Sequence, residues 1–589
     1  MVFGKRLNKY YLKYAWLFII GIVTLIVIDY AQLQIPKIYR LLLTGINTGF
    51  IDEARTISFD MGVVLSDVCL PMMIIILAML IGRFLWRVCF FGASVRTEKN
   101  LRAEMFDHAR KLTQEFYSRN KVGGLMSLFT HDLSTVEECF GWGVMMFFDA
   151  LFLGVMAIYD MFVVHPYLAL LCMIPLVLLL IVGSILNRYL TDKWEIREQA
   201  FSDISDFAQE SFTGLAVIKA FVKEAKELLA FGKLNLANEE ANVSFTRLAV
   251  ALRVSLTLFV ESVIGVIIGA GGYFVYSGSI TAEEIVEFIG YFSAVIWPIM
   301  AVAEMIDMHS RGKASLKRIT EFLEAEVNVT DREGAVDAGA LSGGIEFKNL
   351  TFSYEEGGRE VLKDISFEIK AGENVGIIGK IGSGKTTLMD LITRTYNVKD
   401  GTLFLDGKDV NDLTIESVRK NIAYVPQDNF LFSDTIAENI AFATDNYTDE
   451  EVRRAAVMAC VYGDINDFPD KFYTVLGERG VTVSGGQKQR ISIARALMKN
   501  APILMLDDSV SAVDTETEKT ILKNLRETRR GKTTVIIAHR ISTVENLDRI
   551  MFLKEGRIEA YGTHSELIAT CPEYARLVEL QKLEDKEVA

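Results

Sequence analysis

The sequence has few cysteines, and none of them lies in a pattern typical of a disulfide framework or a zinc site. Only six occur in 589 residues, and no two of them have the CxxC spacing. Four lie in or beside apolar runs, so small buried thiols are the better interpretation. The six are Cys69, Cys89, Cys139, Cys172, Cys460 and Cys571.

An excess of basic charge is also missing, and charged residues of both signs are scarce. The chain has 62 Lys and Arg against 76 Asp and Glu, a formal net charge of −14, which argues against a nucleic-acid partner. Charged residues make up 23% and hydrophobic residues 50%, with a mean hydropathy of +0.26. A soluble enzyme of this size needs more polar surface, and a disordered chain has far fewer apolar residues. The composition therefore predicts a membrane protein with a substantial soluble part.

The long apolar runs lie in the first half of the chain, and each has about the 20 residues that a bilayer core requires. Clusters of Lys and Arg precede the first run, fill the long connections after the second and fourth, and follow the sixth. By the positive-inside rule, both termini and the soluble half are predicted to be cytoplasmic, in a multi-pass protein of the cell membrane. The six predicted spans are about Trp16 to Leu33, Val68 to Phe90, Phe140 to Val164, Tyr167 to Leu186, Leu256 to Tyr276 and Ile285 to Met305.

The two long cytoplasmic connections have an amphipathic helical pattern and few helix breakers. They are predicted to be extensions of the membrane helices into the cytoplasm. Each contains a glycine-marked break, at Gly123-Gly124 and at Gly214, where a short docking helix would fit. Ordinary surface loops are the alternative, although loops of this length seldom lack structure.

A change of pattern separates the membrane half from the soluble half. Residues 322–343 are acidic and end in Gly and Ser, which is typical of a linker. Beyond them short β-rich runs alternate with helical patterns, as in an α/β domain. The predicted division is a six-span α-helical transmembrane domain over 1–321, this linker, and an α/β P-loop ATPase domain over 344–589.

The soluble half contains a complete P-loop. The buried-strand run Glu373 to Ile378 leads into this loop, and a helix-forming segment follows it. Its glycines let backbone N–H groups close on phosphate oxygens at a helix N-terminus. Lys385 is expected to reach the β- and γ-phosphates of a nucleotide, and Thr386 to bind Mg²⁺. The loop consists of Gly379, Lys380, Ile381, Gly382, Ser383, Gly384, Lys385 and Thr386, and Thr387 is added to the predicted nucleotide site.

A second apolar strand, Ile503 to Leu506, ends in Asp507 and Asp508. An acidic residue at the end of such a strand is the Walker B arrangement, in which Asp507 holds Mg²⁺ through its water shell. An aspartate at this position is also a common helix cap, which is the structural alternative.

Between these two elements stands Val483-Ser484-Gly485-Gly486-Gln487-Lys488-Gln489-Arg490, which resembles the signature motif of the ABC family. Further segments resemble family elements in the expected order, and together with the six-span half they make the whole chain similar to bacterial multidrug-type ABC exporter half-transporters. These segments are Tyr354, similar to the aromatic residue that stacks on adenine; Gln427, similar to the Q-loop glutamine; Thr474 to Gly480, similar to the loop that precedes the signature in exporters; Ser511 to Asp514, similar to the D-loop; and His539, similar to the switch histidine.

This resemblance implies a dimer in which the signature of one chain completes the nucleotide site of the other. Ser484, Gly485, Gly486 and Gln487 open a helix and would supply a hydroxyl, unobstructed amides and a positive helix end to the γ-phosphate. Two ATP molecules, each with Mg²⁺, would lie between two chains. By the same resemblance Gln427 contributes to the metal site, and Gln427 and His539 act in hydrolysis. A glycine turn that simply starts a helix is the structural alternative.

The sequence departs from the family pattern at Asp508. The residue after the Walker B aspartate is a glutamate in that pattern, and it polarises the attacking water. The aspartate is shorter by one methylene, roughly 1.5 Å, and a displacement of about 1 Å can cost about 10²-fold in rate. This chain's own Walker site is therefore predicted to be hydrolytically weak, as in one subunit of heterodimeric exporters. A symmetric homodimer in which Asp508 works adequately is the alternative.

The membrane half carries carboxylates within its apolar spans, and aromatic residues lie near them. Charges inside a bilayer normally face a bundle interior or an aqueous cavity, and an acidic, aromatic-lined chamber suits amphipathic organic cations. Aromatic residues in membrane helices mostly pack, however, and Pro298 predicts a kink in the last span. The carboxylates are Asp29, Asp149, Asp160, Glu261, Glu287 and Glu304, and the aromatics include Phe147, Phe148, Phe152, Phe259, Phe288, Phe292 and Trp297.

The sequence thus predicts an ATP-driven exporter of amphipathic drugs or lipid-like molecules that pairs with a second half-transporter chain. Export of a lipid or a peptide by a homodimer fits the same motifs. A membrane channel or regulator that uses ATP only as a switch is a different class, and it would equilibrate a solute instead of accumulating it.

Overall fold

The computed structural model describes residues 5–51, 57–354, 358–477 and 483–588. Its contacts divide the chain into two compact units. The first comprises Met1–Ala109 and Val122–Glu324, and the second comprises Arg110–Lys121 and Ala325–Ala589. The segment Arg110–Lys121 therefore groups with the second unit, although it lies far from the rest of that unit in sequence.

The first half of the chain is helical. Two π-helical turns, Val64–Cys69 and Leu128–Asp132, lead into the long helices Leu70–Ala109 and Leu133–Val164. The segments between these helices are short, as the pattern of few breakers predicts. The helices are α1 (Lys5–Lys13), α2 (Ala15–Thr48), α3 (Met61–Val63), α4 (Leu70–Ala109), α5 (Gln114–Arg119), α6 (Val122–Ser127), α7 (Leu133–Val164), α8 (Pro166–Thr213), α9 (Leu215–Ala220), α10 (Glu224–Tyr276) and α11 (Ala282–Leu323).

The predicted helical transmembrane domain is confirmed. The helix α10 has 53 residues, and its length of about 80 Å far exceeds the roughly 30 Å of a bilayer core. The fourth predicted span lies in α8, where the apolar segment found is Pro166–Pro175; side chains between 176 and 188 are described only in part. Five helical segments of the described chain are long and apolar enough to cross a membrane: Ala15–Thr48, Met61–Ala109, Val122–Val164, Glu224–Tyr276 and Ala282–Leu323.

Short helices lie near both glycine-marked breaks. The helix α5 begins where the side chain of Thr113 accepts a hydrogen bond from the backbone N–H of Phe116. Gly123 and Gly124 lie within the next helix, α6, so the first short helix precedes the glycines. In the second connection Gly214 separates α8 from α9. A docking role for α5 and α9 stays a prediction.

The second unit contains two sheets. An antiparallel sheet has the order β2-β1-β4-β5, and a mostly parallel sheet has the order β10-β9-β3-β8-β7-β6. In the second sheet β3 pairs with β8 and β9 in parallel, and β7 pairs with β6 and β8 in parallel. The strands are β1 (Ile345–Ser353), β2 (Glu360–Ile369), β3 (Asn374–Gly379), β4 (Leu403–Leu405), β5 (Lys408–Asp409), β6 (Ile422–Val425), β7 (Ile503–Asp507), β8 (Thr533–Ile537), β9 (Arg549–Lys554) and β10 (Arg557–Gly562).

Helices cover the parallel sheet, whose central strands are buried along their full length. Two apolar cores result: one joins the two sheets around Phe347, and the other joins the parallel sheet to the helices around Ile491. The remaining helices are α12 (Lys385–Ile392), α13 (Ile415–Lys420), α14 (Ile436–Ala441), α15 (Asp449–Met458), α16 (Tyr462–Asp467), α17 (Gly485–Lys499), α18 (Thr515–Thr528), α19 (Ile541–Val544), α20 (His564–Thr570) and α21 (Pro572–Val588).

Candidate functional site

The P-loop connects β3 to α12, as the strand–loop–helix pattern predicts. Gly384 has φ +99°, and a Cβ atom there would lie 2.6 Å from Cδ2 of Leu362, so this position requires glycine. The Nζ of Lys385 donates to the carbonyl oxygens of Gly379 at 2.8 Å and Lys380 at 3.0 Å. Burial lowers the pKa of the Lys385 amine. The loop backbone thus holds this amine in place beside the start of α12.

Parallel strand order brings the other predicted residues to the same edge of the sheet. The strands β3 and β7 are both neighbours of β8. Lys385 follows the carboxyl end of β3, and His539 follows that of β8. Asp507 is the last residue of β7, and Asp508 comes directly after it. In open α/β sheets ligands bind outside the carboxyl ends of the strands. The residues predicted from separate motifs therefore form one site.

Asp507 and Thr386 form the part of this site suited to a divalent cation. The Thr386 hydroxyl donates a hydrogen bond to Asp507, whose pKa is raised by burial. Oδ2 of Asp507 is buried and has no hydrogen-bond partner within the described part of the chain. Such an unpaired oxygen is costly unless a cation or its water shell approaches. The side chain of Asp390 lies near Asp507, and burial followed by this second carboxylate raises the pKa of Asp390 to about 6.

Asp507 and Thr386 suit Mg²⁺, which also binds substrate phosphates, better than they suit a metal ion that is held by protein ligands alone. Groups of three or more His, Cys, Asp or Glu side chains that could hold a metal were not found among the described residues. Mg²⁺ is usually bound by one or two carboxylates together with substrate phosphates. One carboxylate and one hydroxyl beside a P-loop match that description.

Asp508 lies between the sheet and His539, the predicted switch histidine. Its backbone is left-handed, with φ +45°, and its N–H donates to the carbonyl of Ile537 at 3.0 Å. Its Oδ2 is 4.0 Å from Nε2 of His539, whose side chain is 40% exposed. The two candidate catalytic groups therefore face each other across the loop ends of β7 and β8.

Tyr354, the candidate adenine-stacking residue, follows β1 and lies in an aromatic cluster. Its ring makes edge-to-face contacts with Phe352 at 5.1 Å and Tyr396 at 5.2 Å between centroids. Its hydroxyl lies 2.8 Å from Oγ1 of Thr387, the residue that follows the P-loop. Glu115 of α5, which belongs to the same unit, lines a cavity of about 130 Å³ beside Tyr354.

The signature segment opens α17. The Ser484 side chain accepts from the Gln487 backbone N–H, and the Gln487 side chain accepts from the Ser484 N–H, a capping box that satisfies two helix-end donors. A Cβ atom at Gly486 would lie 3.0 Å from the carbonyl oxygen of Ala512, whereas one at Gly485 would contact nothing described within 4 Å. Gly485 thus leaves an open face at the helix start.

The described residues show no hydrogen bond between this signature and the P-loop of the same chain. The side chain of Gln487 instead donates to Asp464, which also pairs with Arg490 at 2.9 Å. Gln427 follows β6 and is solvent-exposed, with its carbonyl accepting from Asn429. Of the predicted segment from Thr474 to Gly480, residues 478–480 lie outside the described residues.

Two glutamines make contacts around these motifs that the sequence motifs did not predict. Gln489 of α17 accepts from the N–H of Ala512 at 3.0 Å, which ties the signature helix to the predicted D-loop. Gln581 of α21 accepts from the N–H of Ile541 at 2.7 Å and donates to the carbonyl of His539 at 2.8 Å. One signal was present for Gln581: it follows the apolar Tyr574 and Val578 by seven and three residues, a spacing that puts all three on one helix face.

The predicted membrane carboxylates do not gather in one chamber. Glu287 pairs with Arg40 at 3.1 Å, and Asp160 with Lys37 at 3.8 Å. Glu261 and Glu304 are exposed, and several of the aromatics, including Phe288 and Phe292, are buried in the core of the first unit. Asp29 and Asp149, by contrast, line a common cavity.

Comparison with known proteins identifies relatives that match nearly the whole chain. The family profile for the ABC transporter transmembrane region matches residues 18–299, and the ABC transporter profile matches residues 362–511. The chain is 34% identical to a probable multidrug resistance ABC transporter ATP-binding/permease protein, YheI, of Bacillus subtilis, over 98% of this chain and 97% of that protein. It is 33% identical to the multidrug resistance-like ATP-binding protein MdlA of Escherichia coli, over 98% and 96%. The solved structure of a bacterial Atm1-family ABC exporter with ATP bound matches with a TM-score of 0.77 and 25% identity, over 98% of each chain.

Proposed function

This chain belongs to the ABC transporter family and is an ATPase coupled to transport, and on that premise we propose that it forms one half of a heterodimeric exporter. Its own Walker site, completed by a partner's signature, would be the weak site. Its signature would complete the competent site on the partner. The substrates would be amphipathic drugs or lipid-like molecules.

The observation that supports this proposal is the contrast between two motifs on the same chain. Asp508 replaces the glutamate of the family pattern, and its carboxylate is 4.0 Å from Nε2 of His539. The signature, by contrast, has its serine, both glycines and its glutamine, and it opens α17 with a complete capping box. A chain with a shortened catalytic side chain and a complete signature is suited to assist hydrolysis on another chain.

In the proposed cycle two ATP molecules, each with Mg²⁺, bind between the two soluble halves. Tyr354 and the P-loop from Gly379 to Thr387 hold the base and the phosphates, and Thr386, Gln427 and Asp507 hold the cation. The helices α5 and α9 transmit the closure of the soluble halves to a membrane domain whose termini are cytoplasmic. Hydrolysis at the competent site then resets the transporter.

Other functions share these motifs. A homodimer that exports a lipid or a peptide would use Asp508 in both sites. An ATP-gated channel would bind nucleotide in the same way but would let a solute equilibrate.

Reconstitution tests the proposal directly. We expect the gene of the partner chain to lie beside the gene of this one. Vesicles that contain this chain with the product of that neighbouring gene should accumulate an amphipathic dye against its gradient when ATP is added. The chain alone should show little ATPase, whereas the pair should show a high rate. Robust ATPase from the chain alone would favour the homodimer, and passive equilibration of the dye would favour the channel.

A further inference from the structure

A cavity of about 300 Å³ lies among α2, α4, α7 and α11 in the first unit. Its lining includes Asp29 of α2, Asp149 of α7, and Arg83 and Arg87 of α4. Three of the five tryptophans of the chain also line it: Trp86, Trp142 and Trp297. Four ionisable side chains within apolar helices indicate a functional cavity rather than packing, because charged groups are costly inside a membrane.

Asp29 is an acidic residue of this cavity with one carboxyl oxygen left unpaired by the described residues. The residue is 2% exposed, and its Oδ2 has no hydrogen-bond partner among the residues that the structure describes. Its carboxyl group lies within hydrogen-bonding range of Asp149. Asp149 in turn accepts a hydrogen bond from the indole Nε1 of Trp297 at 2.6 Å. Asp149 is therefore oriented by the protein, whereas Asp29, which lines the same cavity, has a buried oxygen that lacks a partner in the described part of the chain. Such an atom is normally satisfied by a ligand or water.

The cavity also presents positive charge. Arg83 and Arg87 are exposed, and they lie one helical turn apart on the same face of α4. The guanidinium of Arg87 lies 5.2 Å above the ring of Trp86, which holds it near the aromatic wall. The charge of Arg83 acts on the carboxylate of Asp149.

The lining carries charges of both signs. Asp29 and Asp149 lie within hydrogen-bonding range of each other, so they share one proton and one negative charge, and the two guanidinium groups are positive. An organic cation, the ligand expected from the acidic residues alone, would gain from Asp29 but would meet two guanidinium groups. An anion would meet the two carboxyl groups. A ligand with one charge of each sign satisfies both sets, since guanidinium groups pair well with carboxylate or phosphate.

We propose that this cavity binds a zwitterionic amphiphile. Its cationic group pairs with Asp29, its anionic group pairs with Arg83 and Arg87, and its apolar body lies against the tryptophans. The claim that this ligand is transported rests on the proposed export function. The claim that it binds in the cavity does not.

The first test is equilibrium dialysis with the purified transporter in a non-ionic detergent and without nucleotide. Three probes share one aromatic body: norfloxacin, which is a zwitterion; its methyl ester, which is a cation; and its N-acetyl derivative, which is an anion. Norfloxacin should bind about tenfold more tightly than either derivative. Competition by dihexanoyl phosphatidylethanolamine but not by dihexanoyl phosphatidylglycerol supports a lipid as the natural zwitterion, and competition by neither supports a free small molecule.

Charge variants make the test specific. Asp29→Asn should weaken norfloxacin binding about tenfold and should make the anionic derivative the tightest of the three. The double change Arg83→Gln with Arg87→Gln should make the cationic ester the tightest. Asp160→Asn, which removes a carboxylate of α7 outside the cavity lining, is the matched control and should leave the order unchanged.

A cationic ester that binds the unaltered protein as tightly as norfloxacin would overturn the proposal. An equal loss of all three probes in Asp29→Asn would also overturn it, since that pattern indicates a purely structural role. ATP-driven transport is measured separately in vesicles. Its absence would contradict the export function without changing the order of the three affinities.

Discussion

Asp508 has a left-handed backbone at the end of a buried strand, with φ +45°. Aspartate adopts this region more readily than longer side chains do, because its short polar group can bond locally. The turn positions the carboxylate beside His539, but the side chain ends one methylene short of a glutamate. The left-handed backbone and the short side chain thus belong to the same residue. A change to glutamate would lengthen the side chain and would be less compatible with this backbone conformation.

Lys385→Ala should weaken ATP binding to the purified chain by at least about tenfold. The amine that would contact the β- and γ-phosphates is removed, and hydrogen bonds to charged groups contribute about 1.5–3 kcal/mol. Titration with a fluorescent ATP analogue measures the change. Lys399→Ala, a change of an exposed lysine in the same unit, is the control and should bind as the unaltered chain does.

Tyr354→Ala should weaken nucleotide binding by about 1–3 kcal/mol if the ring stacks on the base. Tyr354→Phe is the matched control, since it keeps the ring and removes only the hydroxyl that lies 2.8 Å from Thr387 Oγ1. The same titration compares the two variants. An unchanged affinity in Tyr354→Ala would contradict the assignment of this residue to the base.

The free energy of unfolding of the soluble half should decrease as pH rises, because Asp390 loses its proton. Its pKa is raised to about 6 by burial and by Asp507, so the folded state keeps a proton that the unfolded state releases at lower pH. The stabilisation is fully present below the unfolded pKa of about 4 and is lost as pH rises through about 6. Calorimetry can identify the unfolding transition of the soluble half, because that transition shifts when ATP is added. Its unfolding temperature should fall as pH rises, and this pH dependence should be weaker in Asp390→Asn. An unchanged slope in the variant would contradict the role of this carboxyl group.

At the scale of elements, the C-terminal helix α21 supports the loop that carries His539. Tyr574 and Val578 are buried and anchor the helix. Gln581 on the same face bonds the carbonyl of His539 and the N–H of Ile541, the first amide of α19. A helix start leaves such amides without partners inside the helix. Here a side chain from a distant helix supplies the missing acceptor.

Gln581→Ala should speed hydrogen exchange of the Ile541 amide several-fold, because a hydrogen bond contributes about 0.5–1.5 kcal/mol to local stability. Exchange followed by mass spectrometry on the full chain measures this. Gln581→Glu keeps the acceptor for Ile541 and should restore much of the protection. Glu579→Ala, on the exposed side of α21, should change nothing. Equal protection in all variants would show that α21 does not hold this loop.

At the scale of the whole molecule, two motifs on one chain are expected to act on different nucleotides. The described residues show no hydrogen bond between the signature and the P-loop of the same chain, and Gly485 leaves the start of α17 open. This arrangement suits a signature that completes a partner's site.

Asp508→Asn should leave much of the ATPase of the assembled complex, whereas Ser484→Ala or a bulky residue at Gly485 should nearly abolish it. The physical reason is that, in the proposed heterodimer, Asp508 would serve the weak site, whereas Ser484 and Gly485 would serve the competent one. Steady-state ATPase of the complex with its neighbouring gene product measures both. Comparable losses from the two changes, together with strong activity of this chain alone, would indicate a symmetric homodimer.

The local structure around the candidate nucleotide site was largely predictable because its parts are contiguous motifs. The P-loop, the strand that ends in Asp507, and the serine that opens α17 each carry their structural context within a few residues. The helical transmembrane domain was predictable for a similar reason, since apolar runs of sufficient length have few alternatives. The position of the short helix α5 was less predictable, because it precedes the glycines instead of containing them.

The sequence by itself determined the family, the two types of architecture and the shortened side chain at Asp508, because local patterns and motif spacing encode them. Only the tertiary structure decided which separated residues meet. It placed Gln581 on the backbone around His539, 42 and 40 positions away in the chain, and it brought the basic Arg83 and Arg87 to the same cavity as Asp29 and Asp149. Such contacts depend on how helices pack against one another, and a side chain's neighbours across helices are not recorded in the periodicity of its own helix.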